Sequence, residues 1–415
     1  VRLVGKWAQS GVPFLAAQRR LEALFDVVSP PARDQRWHQR RTDIPRITRD
    51  IYGNDARWED ERNRGTDAGR KRAAPAAIVD AGEDTAPIAP RGWLLANVFC
   101  RGYISGLLAQ GAAGKTALRV AQALALATGR ELTGEHIFQR SRVLIVTLED
   151  SIDELRRRVR AAMLHHAVAP EEVKGWLYLW APAGMRVAEH REGSRAVVAG
   201  ELERQLRVEI VAREIDLVMI DPLVKAHSCD ENDNGAIDGV SIILAQIGAD
   251  LNCGIDTSHH APKASGSDPG DSGRARGASS FRDAARLLYT ITAMSEAERE
   301  GFGITEAERR SLIRLDSAKV NIAPPSIEAK WFRIVGVPLG NRTELYPHGD
   351  EVPTVEPWQP PDLWRGISNV TANEILDQIE RGPAEGRRYS ASNRGADERT
   401  AWQVVKATAP DLCRR

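Results

Sequence analysis

The sequence predicts an α/β fold: a central, mostly parallel sheet covered by helices. Three observations carry that expectation. Short, continuous apolar runs alternate with helix-period segments from about residue 91 to 345. Several runs end in Glu149-Asp150, Asp221 or His259-His260, polar chemistry of the kind that open parallel sheets collect at their carboxyl edge. The first run passes through a glycine-rich turn directly into an Ala/Leu-rich helix.

Residues 1–90 read as an extension. One amphipathic helix is expected around Leu15 to Val27. Residues 31–72 carry 12 Lys/Arg against 8 Asp/Glu, with Trp37, Tyr52 and Trp58 spaced among them. Basic residues with interleaved aromatics suit nucleic acid, but the composition equally describes a solvated arm, and that is the expectation here. Residues 73–90, rich in Ala, Pro, Gly and Asp, read as a linker.

The core begins with an apolar strand from Tyr103 to Leu108, followed by Ala109-Gln110-Gly111-Ala112-Ala113-Gly114-Lys115-Thr116 and a helix from Ala117 to Thr128. Strand, glycine-rich loop, Gly-Lys-Thr and helix together make a phosphate cradle for a nucleoside triphosphate. Gly111 and Gly114 let backbone N–H groups converge on phosphate oxygens, and the helix N-terminus adds partial positive charge. Lys115 reaches the β/γ-phosphates and the Thr116 hydroxyl holds Mg²⁺. Ala109 occupies the usual first glycine of the G-x-x-x-x-G-K-[ST] pattern.

A strand at Val143–Leu148 ends in Glu149-Asp150, and Ser151-Ile152-Asp153-Glu154 reads as a capping box for a helix burying Ile152, Leu155, Val159 and Met163. Glu149 can polarise the water that attacks the γ-phosphate, while Asp150 suits either that task or the helix terminus. A strand at Leu177–Trp180 and a helix at Glu201–Glu214 follow. The strand Leu217–Asp221 then sets Asp221 where it can hold a Mg²⁺-bound water opposite Thr116. After a helix from Gly235 to Ala249, the strand Gly254–His260 ends in two histidines. Adjacent strand residues point to opposite sides, so one of the pair faces the nucleotide. The Gly/Ser-rich segment 264–280, with Lys263, Arg274 and Arg276, lacks apolar anchors and reads as a mobile loop beside Lys225, His227 and the acidic run Asp230–Asp233. Arg286 opens the next strand, where it serves either a neighbour's γ-phosphate or a surface ion pair.

Strands at Leu287–Thr292 and Leu312–Val320 close the set, with Trp331–Val337 as an edge. From about Tyr346 the chain is Pro- and Trp-rich and reads as a linker. It leads to a short helix started by Thr371-Ala372-Asn373-Glu374, with Ile375, Leu376 and Ile379 on its apolar side, in a tail too short to bury a core alone.

Formal charge is balanced, with 57 basic and 57 acidic residues, so no global field draws the chain to nucleic acid or membrane. Cys100, Cys229, Cys253 and Cys413 form no C-x-x-C pair, which argues against a zinc site or disulfide framework. With no apolar run near membrane-spanning length and no signal-like start, a soluble, cytoplasmic protein is expected, without a membrane partner.

Together these stretches resemble the RepA-type hexameric replicative helicases of plasmids and phages, within the RecA/DnaB-like ATPases. The matching residues are 109–116, Leu148-Glu149-Asp150-Ser151, Ile220-Asp221-Pro222-Leu223, His259-His260-Ala261-Pro262-Lys263, Arg276–Ser280, Asp283–Arg286, Ala318–Asn321 and Trp331-Phe332-Arg333. The resemblance covers about Trp93 to Val337 and makes the core over 91–345 a RecA-like P-loop domain, between an N-terminal extension over 1–90 and a Pro-rich linker with a short helical tail over 346–415 that is shorter than the family leads one to expect, as after truncation of a C-terminal module. It implies ATP and Mg²⁺ as cofactors, a homo-oligomeric, hexameric ring and single-stranded DNA through its centre. Nucleotide would be held by Ala109, Gln110, Gly111, Ala112, Ala113, Gly114, Lys115, Thr116 and Ala117. Glu149 would be the catalytic base, with Asp150 and Asp221 around Mg²⁺ and water, and Thr116 and Asp221 on the metal. His260 would sense the γ-phosphate, Arg286 would reach into the next subunit with Lys319 as a second candidate, and Lys263, Arg274 and Arg276 would meet DNA. Two features depart from the family. Asp256 interrupts a central strand and requires a partner or a distortion, and the acidic run after Asp221 must point away from DNA. The competing functions are a recombinase- or KaiC-like ATPase that remodels a protein, and a nucleotide-binding regulatory or origin-binding protein without hydrolysis.

Overall fold

The computed structural model describes residues 35–44, 79–85, 87–111, 113–191, 196–260, 279–324, 326, 328–361, 368–384, 387–390 and 400–409, with Gln18 and Leu21. It divides into two units, residues 1–91 with 211–214, and residues 92–210 with 215–415. In the first unit, helix α1 (Gln35–Thr42) lies within the stretch expected as an arm, its end closed by Thr42 Oγ1 donating to the His38 carbonyl at 3.0 Å. The helix expected at Leu15–Val27 falls outside the described residues, apart from helical Gln18 and Leu21.

The second unit begins with a hairpin, β1 (Trp93–Leu95) and β2 (Phe99–Cys100), then β3 (Ile104–Ala109) and α2 (Lys115–Thr128). Next come β4 (Val143–Thr147), α3 (Ile152–His165), α4 (Pro170–Val173), β5 (Leu177–Trp180) and a small antiparallel pair, β6 (Ala188–His190) and β7 (Val197–Ala199). Helix α5 (Glu201–Arg213) leads to β8 (Leu217–Asp221), α6 (Asn234–Leu251), β9 (Gly254–His260), α7 (Ser279–Ala284) and β10 (Leu287–Ala293). Short helices α8 (Glu296–Phe302) and α9 (Glu306–Arg309), each opened by a full capping box, precede β11 (Leu312–Val320), β12 (Lys330–Pro338) and β13 (Glu351–Trp358). Helices α10 (Asn369–Arg381) and α11 (Ala401–Thr408) are the last elements among the described residues.

Nine strands form one sheet in the order β13-β12-β11-β10-β3-β9-β8-β4-β5. The six from β10 to β5 run parallel, and β11, β12 and β13 continue antiparallel. Alternation decides the two faces. Leu107 and Ala109 of β3 pack with α2 and α3, whereas Ile104 and Leu108 pack with α5, α6 and α7. Helix α2 is buried along nearly its whole length, so its Ala/Leu composition matches a helix enclosed by its neighbours. Left-handed glycines stop it at both ends, Gly114 at φ 83° and Gly129 at φ 74°.

Three expectations need correction. The Pro-rich stretch after Tyr346 is not simply a linker: Glu351–Trp358 is β13, so β12 is an inner strand rather than the edge. Ile152, expected on the buried face of α3, is 40% exposed, because that face is set by Leu155, Val159, Ala162 and Met163. The cap of α10 is Ser368, which accepts from the Thr371 amide at 3.0 Å, and α10 and α11 bury Ile375, Val404 and Val405 in a small core of their own.

Candidate nucleotide site

The carboxyl ends of β3, β4 and β8 converge on a cavity of about 430 Å³ lined by Gly114, Lys115, Thr116, Glu149, Asp150 and Asp221. Gly114 holds the one loop position that requires glycine. Its φ is positive, and a Cβ there would stand 3.2 Å from Ile334 Cδ1 and 3.3 Å from Ile313 Cδ1. At Gly111 a Cβ would meet nothing within 4 Å. Ala109 is the buried last residue of β3, an extended position with no need for glycine. Gly111 and Ala113 flank Ala112, which lies outside the described residues, and Ala113 N donates to the Gln110 carbonyl at 3.3 Å.

Thr116 Oγ1 donates to Asp221 at 2.8 Å, and Ser258 on β9 donates to the other oxygen of the same carboxylate. This connection spans the sheet, because β9 lies between β3 and β8. Lys115 is 6% exposed. Burial pulls its pKa below the ordinary lysine value, while the Asp221 and Glu149 carboxylates oppose that shift. Glu149 is exposed at the cavity rim. Thr147 Oγ1 accepts from the Asp150 amide at 3.1 Å, and the Asp150 carboxylate pairs with Arg158 at 2.9 Å. Burial raises the Asp150 pKa; Arg158 lowers it, and Glu154, Glu149 and Asp221 raise it further. Ser151 caps α3 by accepting from the Glu154 amide at 3.2 Å, but the Glu154 side chain turns to Arg158 at 3.2 Å, so only half of the expected box forms.

A hydroxyl and a carboxylate fit a hard divalent cation that takes its remaining ligands from phosphate and water. Among the described residues no group of three or more His, Cys, Asp or Glu could hold a metal ion alone. Thr116 and Asp221 would therefore share Mg²⁺ with a nucleotide, and the bound ion would supply charge neutralisation at the phosphates.

The other expected residues are more scattered. His259 is buried on the face of β9 away from Asp221, with Nδ1 3.8 Å from Glu231. His260 ends β9 beside Ala109, and its side chain lies outside the described residues, as do Lys263, Arg274 and Arg276. Arg286 is exposed at the start of β10, where its amide donates to the Ile104 carbonyl at 3.1 Å. That is the amino edge of the sheet, about 16 Å along parallel strands from the loop, so it lies far from its own chain's cavity. Lys319, expected to contact a neighbour, donates to the Arg282 and Asp283 carbonyls at 2.8 Å each, at the end of α7. The acidic run is absorbed locally: Asp233 caps α6 by accepting from the Gly235 and Ala236 amides, and Asp230 accepts from the Asn232 amide at 2.9 Å. His227 is buried and accepts from the Cys229 amide at 3.2 Å, and burial lowers its pKa.

Sequence reasoning missed Thr147, Glu154, Arg158, Ser258, Ile334 and Pro353. Arg158 had a legible signal, because it falls four residues after Glu154 on one helix face. Ile334 and Pro353 had none, since only the antiparallel extension of the sheet brings them to the loop. Asp256 is paired with Arg119 at 2.8 Å, and β9 keeps an unbroken register with β3, so the strand is undistorted. No helix among the described residues is long and apolar enough to cross a membrane.

Residues 70–266 match the model of a family described as an AAA domain, which points to nucleotide-dependent ATPase activity. The match spans the loop and the strands carrying Glu149, Asp221 and His260, and stops before β10. Loop, strand order and family match agree on a P-loop nucleoside triphosphatase domain whose central sheet is RecA-like.

Proposed function

We propose that the protein is a Mg²⁺-dependent ATPase that couples hydrolysis to movement along single-stranded DNA, as a ring-forming, hexameric helicase. The observation that carries the ATPase reading is the convergence of Lys115, Thr116, Glu149, Asp150 and Asp221 on one cavity. In this reading ATP lies along the loop, with Lys115 on its terminal phosphates and Thr116 and Asp221 on the Mg²⁺ side. Glu149 orients the attacking water and accepts its proton. Asp150, held by Arg158, fixes the rim beside it. His260 senses the γ-phosphate, and Arg286 reaches a neighbouring subunit's nucleotide. The helicase part is supported by the resemblance of the motif order and by the basic residues Lys263, Arg274 and Arg276.

Steady-state ATP hydrolysis with and without single-stranded DNA, with Lys115→Ala as the blank, tests the proposal. Stimulation by DNA that weakens steeply with salt is the expected result. Hydrolysis indifferent to DNA would favour the second reading, a RecA- or KaiC-like ATPase acting on a protein partner, which the zero net charge supports.

A further inference from the structure

Asp256 and Arg119 lie beneath the nucleotide cavity, and burial of an ion pair does not by itself explain their presence. Apolar residues of similar volume are often neutral or stabilising in such places. Asp256 Oδ1 accepts from Arg119 at 2.8 Å and from Ser105 Oγ at 2.8 Å. Arg119 continues to Gln122 at 2.7 Å, and Gln122 to Glu135 at 2.7 Å. Glu135 also accepts from Thr133 at 3.0 Å and from Lys330 at 3.0 Å. The chain of contacts thus joins β9, the second turn of α2 and the start of β12, the elements that carry Ser258, Thr116 and Ile334.

The pair also borders the metal end of the site. Asp256 and Ser258 are two residues apart and share one face of β9, and Ser258 donates to Asp221. A cavity of about 20 Å³, room for one water molecule, is lined by Thr116, Arg119, Asp150, Asp221, Asp256 and Ser258. Arg119 Nε is buried without a hydrogen-bond partner, a donor that such a water would satisfy.

We propose that Asp256 and Arg119 are positioning residues for the Mg²⁺ end of the nucleotide site, holding Asp221 against Thr116 through Ser258 and one buried water. The inference rests on the nucleotide-site reading above. By locking β9 to α2, the pair sets the separation of the two groups that share the cation. Preorganisation of this kind strengthens the metal-dependent part of nucleotide binding and leaves the loop's own hold on phosphate unchanged.

The test uses the full chain with a paired substitution, Asp256→Leu with Arg119→Met, so that no lone charge stays buried. Binding of a non-hydrolysable ATP analogue is measured by calorimetry across a Mg²⁺ series and in EDTA, beside a thermal melt. The paired variant is expected to stay folded, bind the analogue in EDTA as the wild type does, and need at least about tenfold more Mg²⁺ for half-maximal tightening, about 1.4 kcal/mol. An unchanged Mg²⁺ requirement in the folded variant overturns the proposal. Should the pair fail to fold, Ser258→Ala carries the same measurement, with the same expected shift and the same overturning result. A wild type that binds no analogue under either condition overturns the nucleotide-site reading together with this one. A wild type with normal Mg²⁺ dependence that the variants match overturns this inference alone.

Discussion

The Thr116 hydroxyl and the Asp221 carboxylate are 105 residues apart in sequence and 2.8 Å apart in the fold. They sit on elements separated by a whole strand, and Ser258 on that intervening strand binds the same carboxylate. The metal end of the site is therefore a product of strand order rather than of local sequence.

Lys115 faces Asp221 and Glu149 from a buried position, so its removal withdraws the one loop side chain able to answer phosphate charge inside the cavity. Lys115→Ala is expected to lower ATP turnover at least about 100-fold. Glu149→Gln keeps size and cavity lining but removes the base, and is expected to cost about 100- to 10,000-fold in turnover while nucleotide affinity holds. Parallel measurements of turnover and affinity separate the two, and an equal loss of affinity in both variants would contradict the roles assigned.

The two loop glycines should behave differently. Gly114→Ala forces a left-handed residue into contact with Ile334 and Ile313, and is expected to cost at least about 1–2 kcal/mol in thermal or denaturant melts. Gly111→Ala meets open space and should melt with the wild type. Equal melting of the two variants would mean that Gly114 is not held as described.

Acid should weaken the fold through its histidines. Burial lowers the pKa of His166, reinforced by His165 and Arg130 and opposed by its bond to the Val355 carbonyl and by Glu356. Burial likewise lowers that of His227. The unfolded chain then takes up protons at an ordinary imidazole value of 6.5 before the folded chain does, so stability falls as pH drops through that range. Melting temperature should decrease between about pH 7.5 and 5, and His166→Gln should reduce the decrease. Equal losses in wild type and variant would exclude His166 as a contributor.

The parallel half of the sheet was legible because its strands are continuous apolar runs with polar residues at their carboxyl tips, and Lys115, Glu149 and Asp221 are found where that pattern places them. The antiparallel half was less legible. Pro353 and Pro357 read as punctuation, yet they fall on alternate residues of an edge strand, where a missing N–H costs no ladder bond. Val355, of the same parity, gives its carbonyl to His166 Nε2 at 3.0 Å rather than to β12, so α3 covers that edge. Asp256 looked like a flaw because its partner is 137 residues away on α2, a separation no local pattern reveals.

A domain boundary near residue 345 would remove β13 and with it Pro353 from the cavity wall. A fragment of residues 91–345 should bind ATP more weakly than one of residues 91–361, and matching affinities would show that β13 contributes nothing to the site.

That wall also has a meaning in time. During synthesis the phosphate loop and Asp221 leave the ribosome well before residues 330–358 exist. A nascent chain ending near residue 300 carries the site's chemistry but lacks Ile334 and Pro353 to enclose it. The wall of the cavity is therefore complete only once the residues of β12 and β13 have been added to the chain.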